Sequence, residues 1–97
     1  MQIEEVLSSR PRIKILKLLD RLGAVNVTEI ARRVGLNFTT ADKHLRILQQ
    51  EGILKESTYG RVRMYKYDES SPKAKSIRNL IEIWEQENKK DKEKEEK

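Results

Sequence analysis

The sequence contains no cysteine. Disulfide bridges, thiolate metal sites and cysteine nucleophiles are therefore excluded. A single histidine, His44, cannot form a histidine cluster, so no metal is expected. Aromatic residues make up 5% of the chain, with one Phe and one Trp. No aromatic-faced sheet of the kind that stacks single-stranded RNA is legible. No apolar run approaches the length of a membrane span, and the N-terminus lacks the apolar core of a signal peptide. No membrane partner is expected, and the expected location is cytoplasmic. A phosphate-binding glycine loop, a nucleophile–base constellation and a paired-carboxylate motif are missing as well. The chain is not expected to be an enzyme or to need a cofactor.

What is present is a small core under a heavily charged surface. Of the 97 residues, 36% are hydrophobic and 38% charged. That length fits one domain, and a core this small gains from oligomerisation. The net charge is +5 and is unevenly placed. Residues 1–68 hold 13 Lys/Arg against 8 Asp/Glu, whereas residues 69–97 hold 8 of each. The whole excess lies in the first two thirds, which points to an anionic partner for that part.

The apolar periodicity reads mainly as helix. A short patch of Ile3, Val6 and Leu7 needs another element, or another subunit, to pack against. A helix follows "SSRPR", with Ile15, Leu16, Leu19 and Leu22 on one stripe and Ile13 and Leu18 flanking it. Ser8 or Ser9 can cap it, Pro11 suits its first turn and Gly23 stops it. "NVTEIARRVG" is a second helix, capped by Asn26 or Thr28, burying Val27, Ile30, Ala31 and Val34, and ended by Gly35. A third starts near Phe38, with Asn37 as its cap, and runs to about Glu51 before Gly52.

The period then changes to two. Ile53-Leu54 leads into one short strand, Tyr59-Gly60 makes the turn, and Arg61 to Tyr67 reads as a second strand, very basic. "SSPKAKSIRNLIEIWEQENKK" is a last helix, with Ser71 as cap, Pro72 in the first position, and Ile77, Leu80, Ile81 and Trp84 on one face. "KKDKEKEEK" has no apolar residue and reads as a disordered tail. The expected fold is mainly α with a small β-hairpin, a winged helix-turn-helix with an extra C-terminal dimerisation helix. The expected division is a DNA-binding domain over 1–71, a dimerisation helix over 72–88 and a charged tail over 89–97.

The third helix carries the chemistry. On a wheel at about 100° per residue, Ala41, Leu45 and Leu48 face the core. Thr39, Lys43, Arg46 and Gln50 fall opposite, with Asp42 the only acid on the flank. Most charged helix faces are merely solvated. Here the face belongs to the second helix of a tight pair, with a basic hairpin behind it, and that combination fits a major groove. Arg61, Arg63 and Lys66 in the hairpin can meet phosphate or a minor groove. Equally, such charges can protect a strand edge, and for Lys66 the two readings stay level. Tyr59, Tyr65 and Tyr67 read as packing or phosphate-bonding groups. His44 sits beside the core stripe and reads as a partly buried, satisfied histidine rather than a ligand or pH switch. Helix-turn-helix modules usually bind two half-sites as symmetric dimers. The terminal-helix stripe, widened by Ile83, and the leading apolar patch are the surfaces such a dimer would use.

"LSSRPRIKILKLL", "VTEIARRVGLNFTTADKHLRILQQEGIL" and "GRVRMYKY" together resemble the ArsR-like winged helix-turn-helix regulators of bacteria and archaea. The resemblance covers roughly residues 3–68. It implies that Asn37, Phe38, Thr39, Thr40, Lys43 and Arg46 lie at recognition-helix positions and Arg61 and Arg63 on the wing. Metal-sensing members often use cysteines, which this chain lacks. The long final helix looks like small archaeal or archaeal-virus members. The expectation is a homodimeric regulator of transcription that binds double-stranded DNA. The surfaces assigned to the dimer are Ile3, Val6, Leu7, Ile77, Leu80, Ile81 and Trp84. Two alternatives remain: a winged-helix module that docks protein, and a chromatin-type protein that binds DNA without sequence preference.

Overall fold

The helix boundaries follow from short polar side chains that accept from N–H groups left unpaired in a first turn. In the computed structural model, which describes residues 1–95 and side chains as far as Asp91, a short helix α1 spans Ile3–Leu7. Ser9 then accepts from the Arg12 N–H (3.3 Å) and opens α2, Arg10–Leu22, with Pro11 in its first turn. A two-residue strand β1, Val25–Asn26, leads directly into α3, Val27–Val34. The Asn26 side-chain Oδ1 caps α3 by accepting from Glu29 N–H (2.8 Å). Asn37 does the same for α4, Phe38–Gln50, through Thr40 N–H (2.8 Å).

Strands β2, Leu54–Tyr59, and β3, Val62–Tyr67, pair antiparallel from Leu54↔Tyr67 to Tyr59↔Val62. Gly60, at φ +61, takes the first position of the two-residue turn, where a left-handed backbone matches the twist of the flanking strands. Arg61 therefore sits in the turn rather than in the strand. β1 pairs with the other edge of β3, Val25 opposite Tyr65, so the sheet has three strands in the order β1-β3-β2. The expected hairpin is one strand short of this sheet. Two residues are too few to show an alternating pattern, and β1 is stabilised by β3 rather than by its own sequence.

The core lies where α2, α3 and α4 meet the sheet. Ile15, Leu16 and Leu19 of α2, Ile30 of α3, Leu45 and Leu48 of α4, Leu54 of β2 and Tyr65 of β3 are all fully buried. Each aliphatic side chain of this kind contributes about 1.5–3 kcal/mol through burial. On α2 the stripe is rotated from the expected one: Leu18 is buried and Leu22 is 43% exposed. Leu18 faces Val34 and Ile81, whereas Leu22 lies at the helix end, just before Gly23.

Helix α5 runs Pro72–Glu95. Ser71 accepts from Ala74 N–H (3.2 Å) at its start. Ala74 is buried, and Ile77 and Ile81 pack against the core. Arg78 fastens the helix to α2 through Asp20 (2.9 Å) and lies 5.1 Å from the Tyr67 ring centroid. The helix does not end at 88 as expected. Lys and Glu are good helix formers, and no Gly or Pro interrupts the run. Residues 96 and 97 of the expected tail lie outside the described residues.

Tyr67 ties the sheet to α2. Its hydroxyl donates to the Leu16 carbonyl at 2.7 Å in a buried setting, and burial pushes its phenol well above the usual range. Tyr67→Phe is expected to lower stability by about 1 kcal/mol, read as a shift of the urea midpoint without a change in its slope.

Candidate nucleic-acid interface

The direction of α4 is set by a short connection. Gly35 ends α3 in the left-handed region (φ +80), and both its N–H and that of Leu36 donate to Ala31 O at 2.9 Å. This is a glycine C-cap, where a side chain would be strained. Asn37 then caps α4 at once, so only Gly35, Leu36 and Asn37 separate the helices. Ala31 and Ala41, both buried, keep the two helices close. With Ala41, Leu45 and Leu48 turned into the core, the opposite face of α4 has one possible direction.

Thr39, Lys43, Arg46 and Gln50 are exposed on that face, as are Asn37 and Phe38 at the N-terminal end, while Thr40 is half-buried. Asn37 Oδ1 is committed to its cap. Phe38 is 51% exposed. At the wing, Arg61 is exposed at the turn. Val62, Phe38 and Arg61 line a shared hollow with the start of α3, so the wing tip and the N-terminal end of α4 lie side by side.

Arg63 is placed differently from Arg61. Along β3 it shares a face with Tyr65 and Tyr67, which are buried, and it is itself only 24% exposed. Its Nε donates to Glu56 Oε1 (2.9 Å) and its Nη2 to the Tyr65 hydroxyl (2.9 Å). The same Nη2 lies 2.8 Å from Asp42 Oδ1, an ion pair rather than an aligned hydrogen bond. Tyr65 in turn donates to Glu56 (3.1 Å), with Gln49 of α4 at 3.3 Å. Asp42 Oδ2 accepts from Arg46 Nε at 2.9 Å. This network bridges α4 to the wing. Partial burial tends to raise the Asp42 carboxyl, but Arg46 and Arg63 hold it below its ordinary range. Glu56 is held down chiefly by Arg63. Asp42, Glu56, Tyr65 and Gln49 were not among the expected site residues. The period-two pattern carried the signal: a residue two before a buried tyrosine points the same way.

A second cluster links α4 to α1. Arg12 is 8% exposed. Its Nε donates to Val6 O (3.2 Å), its Nη2 to Glu5 O (2.6 Å), and its Nη1 lies 3.1 Å from His44 Nδ1. Arginine has no acceptor, so His44 Nδ1 must accept and its Nε2 carries the proton. Burial, then the charges of Arg12 and Lys43, hold the imidazole below its ordinary 6.5.

The residues assigned to a dimer divide. Val6 is in the core, 5% exposed, because it packs α1 onto the domain rather than facing outward. Leu7, Ile77 and Ile81 are half-buried. Ile3, Leu80, Ile83 and Trp84 are more than half exposed. An apolar groove lined by Ile3, Leu7, Ile53 and Ile77 continues past Leu7 and Ile77 into one lined by Ile13, Leu80, Ile81 and Trp84.

A helix pair with a three-residue connection, followed by a hairpin on the same side, is a winged helix-turn-helix. Comparison with solved structures agrees. The homodimeric winged helix-turn-helix DNA-binding domain of Mb0332 from Mycobacterium bovis, a possible ArsR-family regulator, matches with a TM-score of 0.70. It is 26% identical, over 86% of this chain and 74% of that one. The transcriptional repressor PagR of Bacillus anthracis matches at 0.67 with 27% identity, over 79% and 85% of the two chains. The antimony-specific repressor AntR, at 0.71 and 24% identity over 89% and 76%, adds support for the fold alone. The fold is a winged helix-turn-helix. The family model of bacterial regulatory proteins of the arsR type matches residues 10–56, which run from the start of α2 into β2. No curated protein sequence matches the chain closely. The chain is thus similar in fold, and over residues 10–56 in sequence, to winged helix-turn-helix regulators that bind DNA. No helix among the described residues is long and apolar enough to cross a membrane.

The Arg12–His44 pair is expected to make the fold sensitive to acid. The unfolded imidazole titrates near its ordinary 6.5 and the folded one lower. As pH falls below 6.5 the unfolded chain binds more protons, so the contribution is complete above that value and is lost as pH falls through the folded pKa. NMR titration of the sole imidazole is expected to give a midpoint below 6.5. In His44→Gln, whose amide oxygen can still accept from Arg12, stability is expected to be flat across that window. A midpoint at or above 6.5 would contradict the assignment.

Proposed function

We propose that the chain is a homodimeric, sequence-specific regulator of transcription that places α4 in the major groove of double-stranded DNA and its wing tip on the backbone or minor groove. The observation that carries this reading is the exposed face of Thr39, Lys43 and Arg46, aimed outward by a fixed helix pair and flanked by Arg61. Thr39, Thr40 and Lys43 are the residues for base edges, with Asn37 and Phe38 at the approach of the helix. Arg61 meets phosphate. Arg63, held between Asp42, Glu56 and Tyr65, sets the wing rather than contacting DNA. Residues 1–71 form the DNA-binding unit in this reading, and α5 the dimerisation helix. With no cysteine, a thiolate-based metal signal has no ligands here.

The dimer reading rests on exposed Leu80, Ile83 and Trp84 beside a continuous apolar groove, and on the homodimeric description of the Mycobacterium bovis domain. Exposed apolar side chains grouped in this way mark an interaction surface. A symmetric pair of modules would read half-sites about one helical turn apart.

The deciding experiment is selection from random duplexes with sequencing, at two salt concentrations. Enrichment of an inverted repeat is the expected result. Salt-sensitive binding without enrichment would favour a chromatin-type protein, and no binding at low salt a protein-docking module. Lys43→Ala is expected to weaken binding to the selected sequence by about 1–3 kcal/mol and to relax its preference at one position. Arg61→Ala should weaken binding to all sequences and reduce the slope of log K against log salt by about one. Equal losses on selected and random DNA for Lys43→Ala would remove its base-reading role. Separately, Leu80→Glu with Trp84→Glu is expected to give a folded monomer by sedimentation; a dimer that survives both changes would move the interface elsewhere.

A further inference from the structure

Asp42 is the one acid on the reading helix, and it lies among the cations expected to meet DNA. Its side chain is 20% exposed, and its two oxygens have separate tasks. Oδ2 holds Arg46, one turn further along α4, at 2.9 Å. Oδ1 is buried and lies 2.8 Å from Arg63 of the wing. Arg46 remains 57% exposed, so it can leave Asp42 for a phosphate, whereas Arg63 at 24% is enclosed. Glu56 also holds Arg63, at 2.9 Å.

We propose that Asp42 is a specificity-determining residue of the DNA interface, holding Arg46 back from phosphates through Oδ2 and fixing the wing against α4 through Oδ1. This rests on the DNA-binding reading above. Sequence-independent binding is driven by phosphate neutralisation and counterion release. A cation already paired with a carboxylate on its own helix releases fewer counterions, and the carboxylate repels the backbone. Loose encounters with arbitrary duplex therefore use Lys43 and Arg61 while Arg46 stays on Asp42. Once base contacts seat α4 at full depth, a phosphate close to Arg46 competes with Asp42, and the contact forms. Asp42 keeps Arg63 in that state, sharing it with Glu56, so the wing does not shift. Discrimination thus comes from a repulsive element as well as an attractive one.

Asp42→Asn keeps the side-chain shape and removes the charge. On random-sequence duplex DNA this variant is expected to bind about threefold or more tighter at low salt, with a slope of log K against log salt steeper by about one. Selection should then give a broader set of sequences than the wild-type protein gives. Arg46→Gln provides a second reading that does not depend on the first variant folding. It should weaken binding to the wild-type selected sequence by clearly more than binding to random duplex. Thermal melting by circular dichroism verifies that each variant is folded. Wild-type binding with an unchanged slope in folded Asp42→Asn would overturn the role of Asp42 alone. So would an equal loss on selected and random duplex in Arg46→Gln. Absence of duplex binding by the wild-type protein would instead overturn the DNA-binding reading, and this inference with it.

Discussion

The orientation of α4 depends on three side chains. Ala41, Leu45 and Leu48 are fully buried, and a helix with one such stripe has one rotation about its axis at which the stripe is covered. Truncating one of these leucines would cost about 2–5 kcal/mol, so the rotation is strongly held. Everything functional on the opposite face inherits its direction from that packing. Thr39, Lys43 and Arg46 need no interactions of their own to stand outward. The glycine and asparagine between α3 and α4 fix where the helix begins, and the stripe fixes which way it faces.

The helical part was legible because its signals are local. Caps at Ser9, Asn26, Asn37 and Ser71 lie beside the helices they start, and the apolar spacing of α4 is that of an ideal wheel. What was not legible depends on partners distant in sequence. β1 exists because Val25 and Asn26 meet Tyr65 and Met64, some forty residues later. Leu18 is buried, in a hollow shared with Val34 of α3 and Ile81 of α5, whereas Leu22 lies at the helix end. The buried place of Val6 is set by the rest of the core, not by its own short helix. Arg63 is a middle case. Its alternation with Tyr65 and Tyr67 was readable, but its inward role needed the knowledge that both tyrosines are buried.

Net charge overstates the field at the candidate interface. Glu29 is drawn down to about 2 by Arg32 and Arg33 and ties up both cations at an exposed corner of α3. Asp20 takes Arg78, Glu85 takes Lys17, and Asp42 with Glu56 takes Arg46 and Arg63. The solvent-exposed pairs among them contribute little to stability. Their effect is on distribution: on the outward face of α4 and at the wing tip, the cations left unpaired among the described residues are Lys43 and Arg61. A count of Lys and Arg along the chain cannot make this distinction, because each pair is a matter of helical spacing or tertiary contact.

Arg12 gives the two faces of the protein a common anchor. Its guanidinium holds the last carbonyls of α1 and the imidazole of α4 at the same time, in a nearly water-free position. α1 carries Ile3 and Leu7 on the groove shared with α5, while α4 carries the reading face. Moving either helix leaves a buried cation short of an acceptor, a loss larger than that of an ordinary hydrogen bond. The apolar groove and the reading face are therefore not independent patches on a small domain.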